Sequence, residues 1–170
     1  MAIWMWMLLI FIILQRLVEL VIARNNEKWM KERGGVERGE DHYKWFIILH
    51  FLFFLSLLVE THLHGRSAYP FSFFLFSLFF IAQFCRIWCI YTLGRFWNTK
   101  IIVLPRVALI KKGPYKYVKH PNYFIVGIEL FVIPMLFGAY ATAIVFPILH
   151  LLLLRIRIPR EEKALTKVSL

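Results

Sequence analysis

Acidic side chains are scarce: ten Asp and Glu stand against 21 Lys and Arg, giving a formal net charge of +11. Cysteine is scarcer still, with Cys85 and Cys89 alone, four positions apart in an apolar segment. Two thiols with no histidine or carboxylate beside them in the sequence make a poor metal site. We read them as small buried hydrophobes and expect no metal. Internal repeats, low-complexity tracts and polar linkers are missing as well, so residues 1–170 are expected to form one domain.

What is abundant is apolar surface. The chain is 60% hydrophobic with a mean hydropathy of +0.64, and its apolar runs are broken by basic loops, which excludes a soluble domain. Crossing the hydrocarbon core takes about 20 apolar residues. Ile3–Ile22, Trp45–Val59 and Phe71–Leu93 reach or approach that length. The first run is too long and too poor in cleavage-site residues for a signal peptide, so a retained helix is expected, extending through Asn25–Arg33 before Gly34 and Gly35 stop it. Pro70 suits the first turn of the third helix.

The positive charge is not spread evenly. Lys and Arg gather at Arg24–Lys44, Arg95–Lys119 and Arg155–Lys167, whereas Glu60–Pro70 holds only Arg66 and the surroundings of Gly138 hold none. That asymmetry is the one expected of cytoplasmic loops. It reports topology and contact with membrane lipids, not nucleic acid. The expected fold is all-α: a polytopic integral membrane protein of about five transmembrane helices. Its N-terminus is expected outside, and its C-terminal tail inside.

Asn122–Leu154 is too short for two full spans and a turn. A short helical hairpin is expected, with its tip at Phe137, Gly138 and Ala139 and its arms bent at Pro134 and Pro147. Interrupted helices of this kind are tolerated in a bilayer where they line a cavity or pack on protein. A cavity is therefore expected at the inner half of the membrane, below the third basic loop.

Three polar stretches converge there: LGRFWNTK (Leu93–Lys100), GPYKYVKHPNY (Gly113–Tyr123) and RIRIPREEKAL (Arg155–Leu165). In the second, Gly113 and Pro114 make a turn, Tyr115 and Tyr117 are expected on one side, and Pro121 begins a helix whose free N–H groups lie beside His120. Such a helix start holds anionic or carbonyl-rich groups. The bland reading, an interfacial belt of Tyr and Lys, stands beside this one. In the third stretch, Arg157, Glu161 and Glu162 read by themselves as a salt-bridged helix end. Glu129 argues for more, because a carboxylate one to two turns inside the hairpin needs a cation from protein or ligand. His42, His50, His62, His64 and His150 have no comparable company and read as structural or interfacial.

These residues resemble the isoprenylcysteine carboxyl methyltransferase family. Its pattern runs as a GPY turn, a basic residue, His-Pro, one residue and Tyr, later a Glu, then Arg, three residues and Glu-Glu. From Leu93 to the C-terminus the order and spacing match; Lys119 stands where Arg is usual, which keeps the charge and loses the bidentate fork. The resemblance implies an integral membrane methyltransferase using S-adenosylmethionine, with 93–170 as the cofactor-binding part. Carried over, Tyr117, Lys119, His120, Pro121, Tyr123, Glu129, Arg157, Glu161 and Glu162 would hold the cofactor. Arg95, Asn98 and Arg157 would steer the acceptor oxygen. The chain has no GxGxxG, so a soluble dinucleotide-like methyltransferase fold is not open to it. A cofactor with positive sulfonium and ammonium groups and a negative carboxylate calls for both Glu and Arg or a helix start.

The acceptor expected from the resemblance is lipophilic. Bacterial relatives of this kind point to an alkylpyrone or phenolic lipid, with a functional link to a type III polyketide synthase, and the short, basic, Phe-rich chain reads as a bacterial cell-membrane protein. A prenylcysteine or other lipid carboxylate is the alternative acceptor. Two other classes stay open: an NADPH-dependent membrane reductase of similar C-terminal architecture, and a non-enzymatic membrane partner or small transporter.

Overall fold

The computed structural model describes residues 2–63, 72–105, 107 and 110–166, with only the backbone at 40–42. Five helices dominate: α1 (Ile3–Lys31), α2 (Glu40–Leu63), α3 (Phe73–Leu93), α4 (Pro121–Phe137) and α5 (Tyr140–Thr166). Two short strands, β1 (Val36–Arg38) and β2 (Ile101–Val103), pair antiparallel with Val36 opposite Val103. The fold is thus all-α, as expected, with one small two-stranded ribbon beside the helices. Short apolar β-branched runs such as Ile101–Val103 carry no period long enough to reveal a strand.

Local chemistry sets the helix ends. α1 continues past its apolar run and stops just before Gly34, whose φ of 82° is open to glycine. Ser72 caps α3 by accepting from the Leu75 N–H at 3.4 Å. The expected role of Pro70 lies outside the described residues. Pro121 occupies the first position of α4, and Gly138, left-handed at φ 69°, ends it. The start of α5 is capped from α2: Glu60 accepts from the Ala141 and Thr142 N–H groups, each at 2.8 Å.

The hairpin has its expected tip but unequal arms. Among the described residues, four helices, α1, α2, α3 and α5, are long and apolar enough to cross a membrane. α4, with 17 residues, rises only about 26 Å, less than a hydrocarbon core. α5 runs for 27 residues, Tyr140–Thr166, and carries the basic tail as helix. Pro134, Pro147 and Pro159 all lie inside continuous helices. The core joins Met5, Leu9 and Ile12 of α1, Phe53 and Leu57 of α2, Phe79 of α3 and much of α4. Outward faces carry large apolar side chains such as Phe51, Phe84 and Leu151, suited to lipid. Cys89 is buried with Ala82 and Ile125, and Cys85 packs beside them.

Candidate active site

A cavity of about 690 Å³ opens at the basic end of the bundle, bounded by β2, the GPYK turn, the start of α4 and the end of α5. Its polar lining includes Asn98, Lys100, Lys119, His120, Glu161 and Glu162. Ile101, Ile102, Val103 and Leu104 supply an apolar wall.

The GPYK turn is a single 3-10 turn, Gly113–Lys116, that brings Tyr115 against α3. Gly113 has φ 53°, and a Cβ there would meet the Thr92 hydroxyl at 2.6 Å. Tyr115 and Tyr117 both line the cavity but differ in burial. Tyr115 packs against the buried cluster of Ala82, Cys89 and Ile125, while Tyr117 is exposed. Burial, with the Cys89 thiol as its hydrogen-bond neighbour, holds the Tyr115 phenol well above its ordinary range, so it stays neutral.

Beyond the turn, His120 precedes α4 and stacks on Tyr123 at 5.6 Å between ring centroids. Its Nε2 lies 3.4 Å from Glu162 and its Nδ1 3.8 Å from Glu161. Lys119 is exposed and reaches Glu162 at 3.5 Å. Tyr123 joins the two halves of the hairpin: its hydroxyl donates to Glu161 Oε2 at 2.5 Å and accepts from Arg157 Nε at 2.6 Å. Arg157, buried, donates from Nη2 to the Thr99 carbonyl at 2.6 Å and lies over the Phe46 ring of α2 at 4.9 Å.

The structure brings Tyr117, Lys119, His120, Pro121, Tyr123, Arg157, Glu161 and Glu162 together at or directly behind the cavity wall. Three expected residues stand differently. Arg95 is exposed in the 3-10 turn Gly94–Phe96 and is not among the cavity-lining residues. Asn98 lines the cavity, but its amide is engaged: Nδ2 donates to the Ala23 carbonyl at 3.1 Å and Oδ1 accepts from the Lys100 N–H at 3.0 Å. Glu129 lies deeper in the bundle, away from the cavity. The cation it needs comes from the protein, because Oε2 accepts from Arg16 and Arg86, both at 2.6 Å, and Oε1 accepts from Gln83 at 2.9 Å. The physical reason is distance along the helix: nine residues, about 13 Å, separate Glu129 from His120.

Several residues at the site escape a reading by motif. His150, read as structural, donates from Nε2 to the Tyr123 carbonyl at 3.2 Å, and Thr99 holds Arg157 through its backbone. Backbone contacts leave no mark in side-chain type. Arg16, Glu19 and Arg86, by contrast, carry a usable signal, since charges inside apolar runs seek one another.

Residues 75–167, more than half of the chain, match the profile of the isoprenylcysteine carboxyl methyltransferase (ICMT) family. The chain belongs to that family. The uncharacterized protein YpbQ of Bacillus subtilis (strain 168) is similar at 43% identity over 164 residues, covering 96% of this chain and 98% of its own. An uncharacterized protein of Haemophilus influenzae is 30% identical over 152 residues, covering 89% of this chain and 88% of its own. No solved structure matches the chain. Membership makes this an integral membrane methyltransferase, and the donor that the family uses is S-adenosylmethionine.

The cavity suits that donor on its own chemistry. Glu161 and Glu162 offer carboxylates to positive groups, Lys119 and His120 offer N–H donors to a carboxylate, and the β2 wall offers apolar surface to a purine. The matched span takes in the GPY turn, the His-Pro pair and the Glu-Glu pair, so the family pattern and the cavity coincide.

Proposed function

We propose that this protein transfers the methyl group of S-adenosylmethionine to an oxygen of a lipophilic acceptor, with an alkylpyrone or phenolic lipid as the preferred acceptor. The reading rests on one arrangement: the Tyr123 hydroxyl ties Arg157 to Glu161, which lines the cavity together with His120 and Glu162. Bound S-adenosylmethionine supplies an electrophilic methyl on a sulfonium. Glu161, Glu162 and His120 would bind and orient it, and Tyr117 would cover the rim. The basic end of the bundle would face the cytoplasm, where this charged cofactor is found, with the N-terminus outside.

Of Arg95, Asn98 and Arg157, Arg157 is the one joined to a cavity-lining carboxylate, through Tyr123 to Glu161, and would steer the acceptor from there. It lies against the Phe46 and Tyr123 rings, one turn of α5 before the cavity-lining Glu161, and an alkyl chain would remain among the apolar helices while its oxygen approached the cavity. An acceptor that is already an anion, an acidic enol or a carboxylate, needs no strong base, so alignment and exclusion of water would provide most of the rate. A prenylcysteine or other lipid carboxylate meets the same requirement and is favoured by the family's name. A type III polyketide synthase would be the functional neighbour if the acceptor is an alkylpyrone.

The test is transfer of labelled methyl from S-adenosylmethionine, by protein purified in detergent, to an alkylpyrone and a farnesylcysteine analogue in parallel, with His120→Ala as control. Label on the alkylpyrone that is lost in the variant supports the preferred acceptor. Label confined to the prenylcysteine moves the assignment to a lipid carboxylate. No label on either and no binding of S-adenosylmethionine would overturn the reading and direct the search to NADPH.

A further inference from the structure

About 13 Å along α4 from His120, α1, α3 and α4 meet through charged side chains that the proposed chemistry does not use. Arg86 grips Glu19 with Nε at 2.5 Å and Nη2 at 2.7 Å, and extends Nη1 to Glu129 at 2.6 Å. Arg16 joins Glu19 at 2.8 Å and Glu129 at 2.6 Å. Gln83 donates to Glu129 Oε1 at 2.9 Å, and Gln15 donates to Glu19 at 3.1 Å and to the Gln83 carbonyl oxygen. Two guanidinium groups and two carboxylates balance. Glu129 and Arg86 are 1% and 6% exposed.

Such a cluster is not needed for stability. Buried ion pairs can often be replaced by apolar residues of similar volume without loss, and their best-attested use is to select one arrangement among several. α4 has need of that. Helices in lipid gain little from apolar contact with one another, because the lipid is as apolar as the partner helix. The buried residues of α4, among them Ile125, Val126, Leu130, Val132 and Leu136, fall on several faces of the helix and prescribe no single rotation. Glu129 is the only charged residue of α4. One rotational setting must satisfy Glu129 against Arg16, Arg86 and Gln83 and, about 1.7 turns earlier, Tyr123 against Arg157 and Glu161.

We propose that Glu129 is a positioning residue: its anchorage to Arg16, Arg86 and Gln83 fixes the rotation of α4 and so places His120 and Tyr123 in the cavity. The effect on cofactor affinity rests on the methyltransferase reading; the effect on α4 does not.

The test is the pair Arg16→Met/Glu129→Leu, which removes one charge of each sign and leaves the two-point Arg86–Glu19 grip in place. Three quantities are read in detergent: melting temperature, S-adenosylmethionine affinity, and amide hydrogen exchange over residues 121–127. The expected result is a melting temperature within about 5 °C of wild type, a Kd raised about tenfold or more, and faster exchange in the first turns of α4. A variant that melts lower but, while folded, binds and exchanges like wild type would show a structural role only and overturn the proposal. If wild type binds no S-adenosylmethionine, the methyltransferase reading fails, and exchange over 121–127 alone decides the positioning role. Should the double variant not fold, Gln83→Leu removes one neutral partner of Glu129 and no charge. Faster exchange at 121–127 in that variant supports the anchorage, and unchanged exchange overturns it.

Discussion

The Tyr123 hydroxyl stands between Arg157 and Glu161, 2.6 Å from the first and 2.5 Å from the second. One phenol thereby couples the first turn of α4 to the last turns of α5 across the hairpin. Tyr123→Phe keeps the ring and its stack on His120 but leaves a buried guanidinium and a carboxylate each short of a partner. A loss of about 1–3 kcal/mol is expected in thermal unfolding, with S-adenosylmethionine affinity reduced about tenfold in titration calorimetry. Unchanged affinity would remove Tyr123 from the cofactor site.

The paired glutamates should differ. Glu161 is fixed by Tyr123, whereas the Glu162 side chain is 45% exposed and meets His120 and Lys119 only at 3.4 and 3.5 Å. A held carboxylate interacts more strongly than a solvated one. Glu161→Gln is expected to weaken S-adenosylmethionine binding about tenfold and Glu162→Gln about threefold or less. The reverse order would assign the main contact to Glu162.

Gly113→Ala tests the turn that presents Tyr115. The added Cβ would lie 2.6 Å from Thr92 Oγ1 and 3.2 Å from Trp88 Nε1, at a φ of 53° that disfavours any side chain. Destabilisation of about 1–3 kcal/mol is expected, read as a lower melting temperature. A melting temperature equal to wild type would mean that the turn shifts freely.

Lys100 offers a pH signature. Its ammonium bonds Glu27 at 2.8 Å and lies 3.1 Å from Glu37, tying β2 to α1 and β1. The hydrogen bond to Glu27, first, and then Glu37 raise its proton affinity above the ordinary lysine range. A raised cation stabilises the fold fully below its unfolded value of about 10.4 and ceases to do so as pH climbs through the folded value. Lys100→Met should therefore lower stability by about 1 kcal/mol at pH 7 and pH 9 alike, the gap closing only in stronger alkali. A gap that opens or closes between pH 6 and pH 9 would point to a different group.

Part of the site was legible because its residues are neighbours in sequence. His120, Pro121 and Tyr123 share one helix start, and Glu161 and Glu162 one helix end, so spacing alone fixes their relation. Glu129 shows the limit. That it needs a cation follows from an ionised group in an apolar run, yet Arg16 and Arg86 stand 113 and 43 residues away. No local pattern reports such a pairing. Arg95 shows another limit: its motif lies at the end of α3 near the cavity, but the 3-10 turn Gly94–Phe96 leaves its side chain exposed and outside the cavity lining.

The sequence by itself determined that this chain is a helical membrane protein with a polar cluster at its basic end, because apolar run length and charge placement act along the chain. It also carried the family pattern, which is a matter of order and spacing. The tertiary structure decided which polar groups meet: Tyr123 with Arg157 and Glu161 at the cavity, Glu129 with Arg16, Arg86 and Gln83 away from it. Those choices depend on how α4 is turned, and a helix apolar on several faces leaves its rotation to partners that only packing brings near.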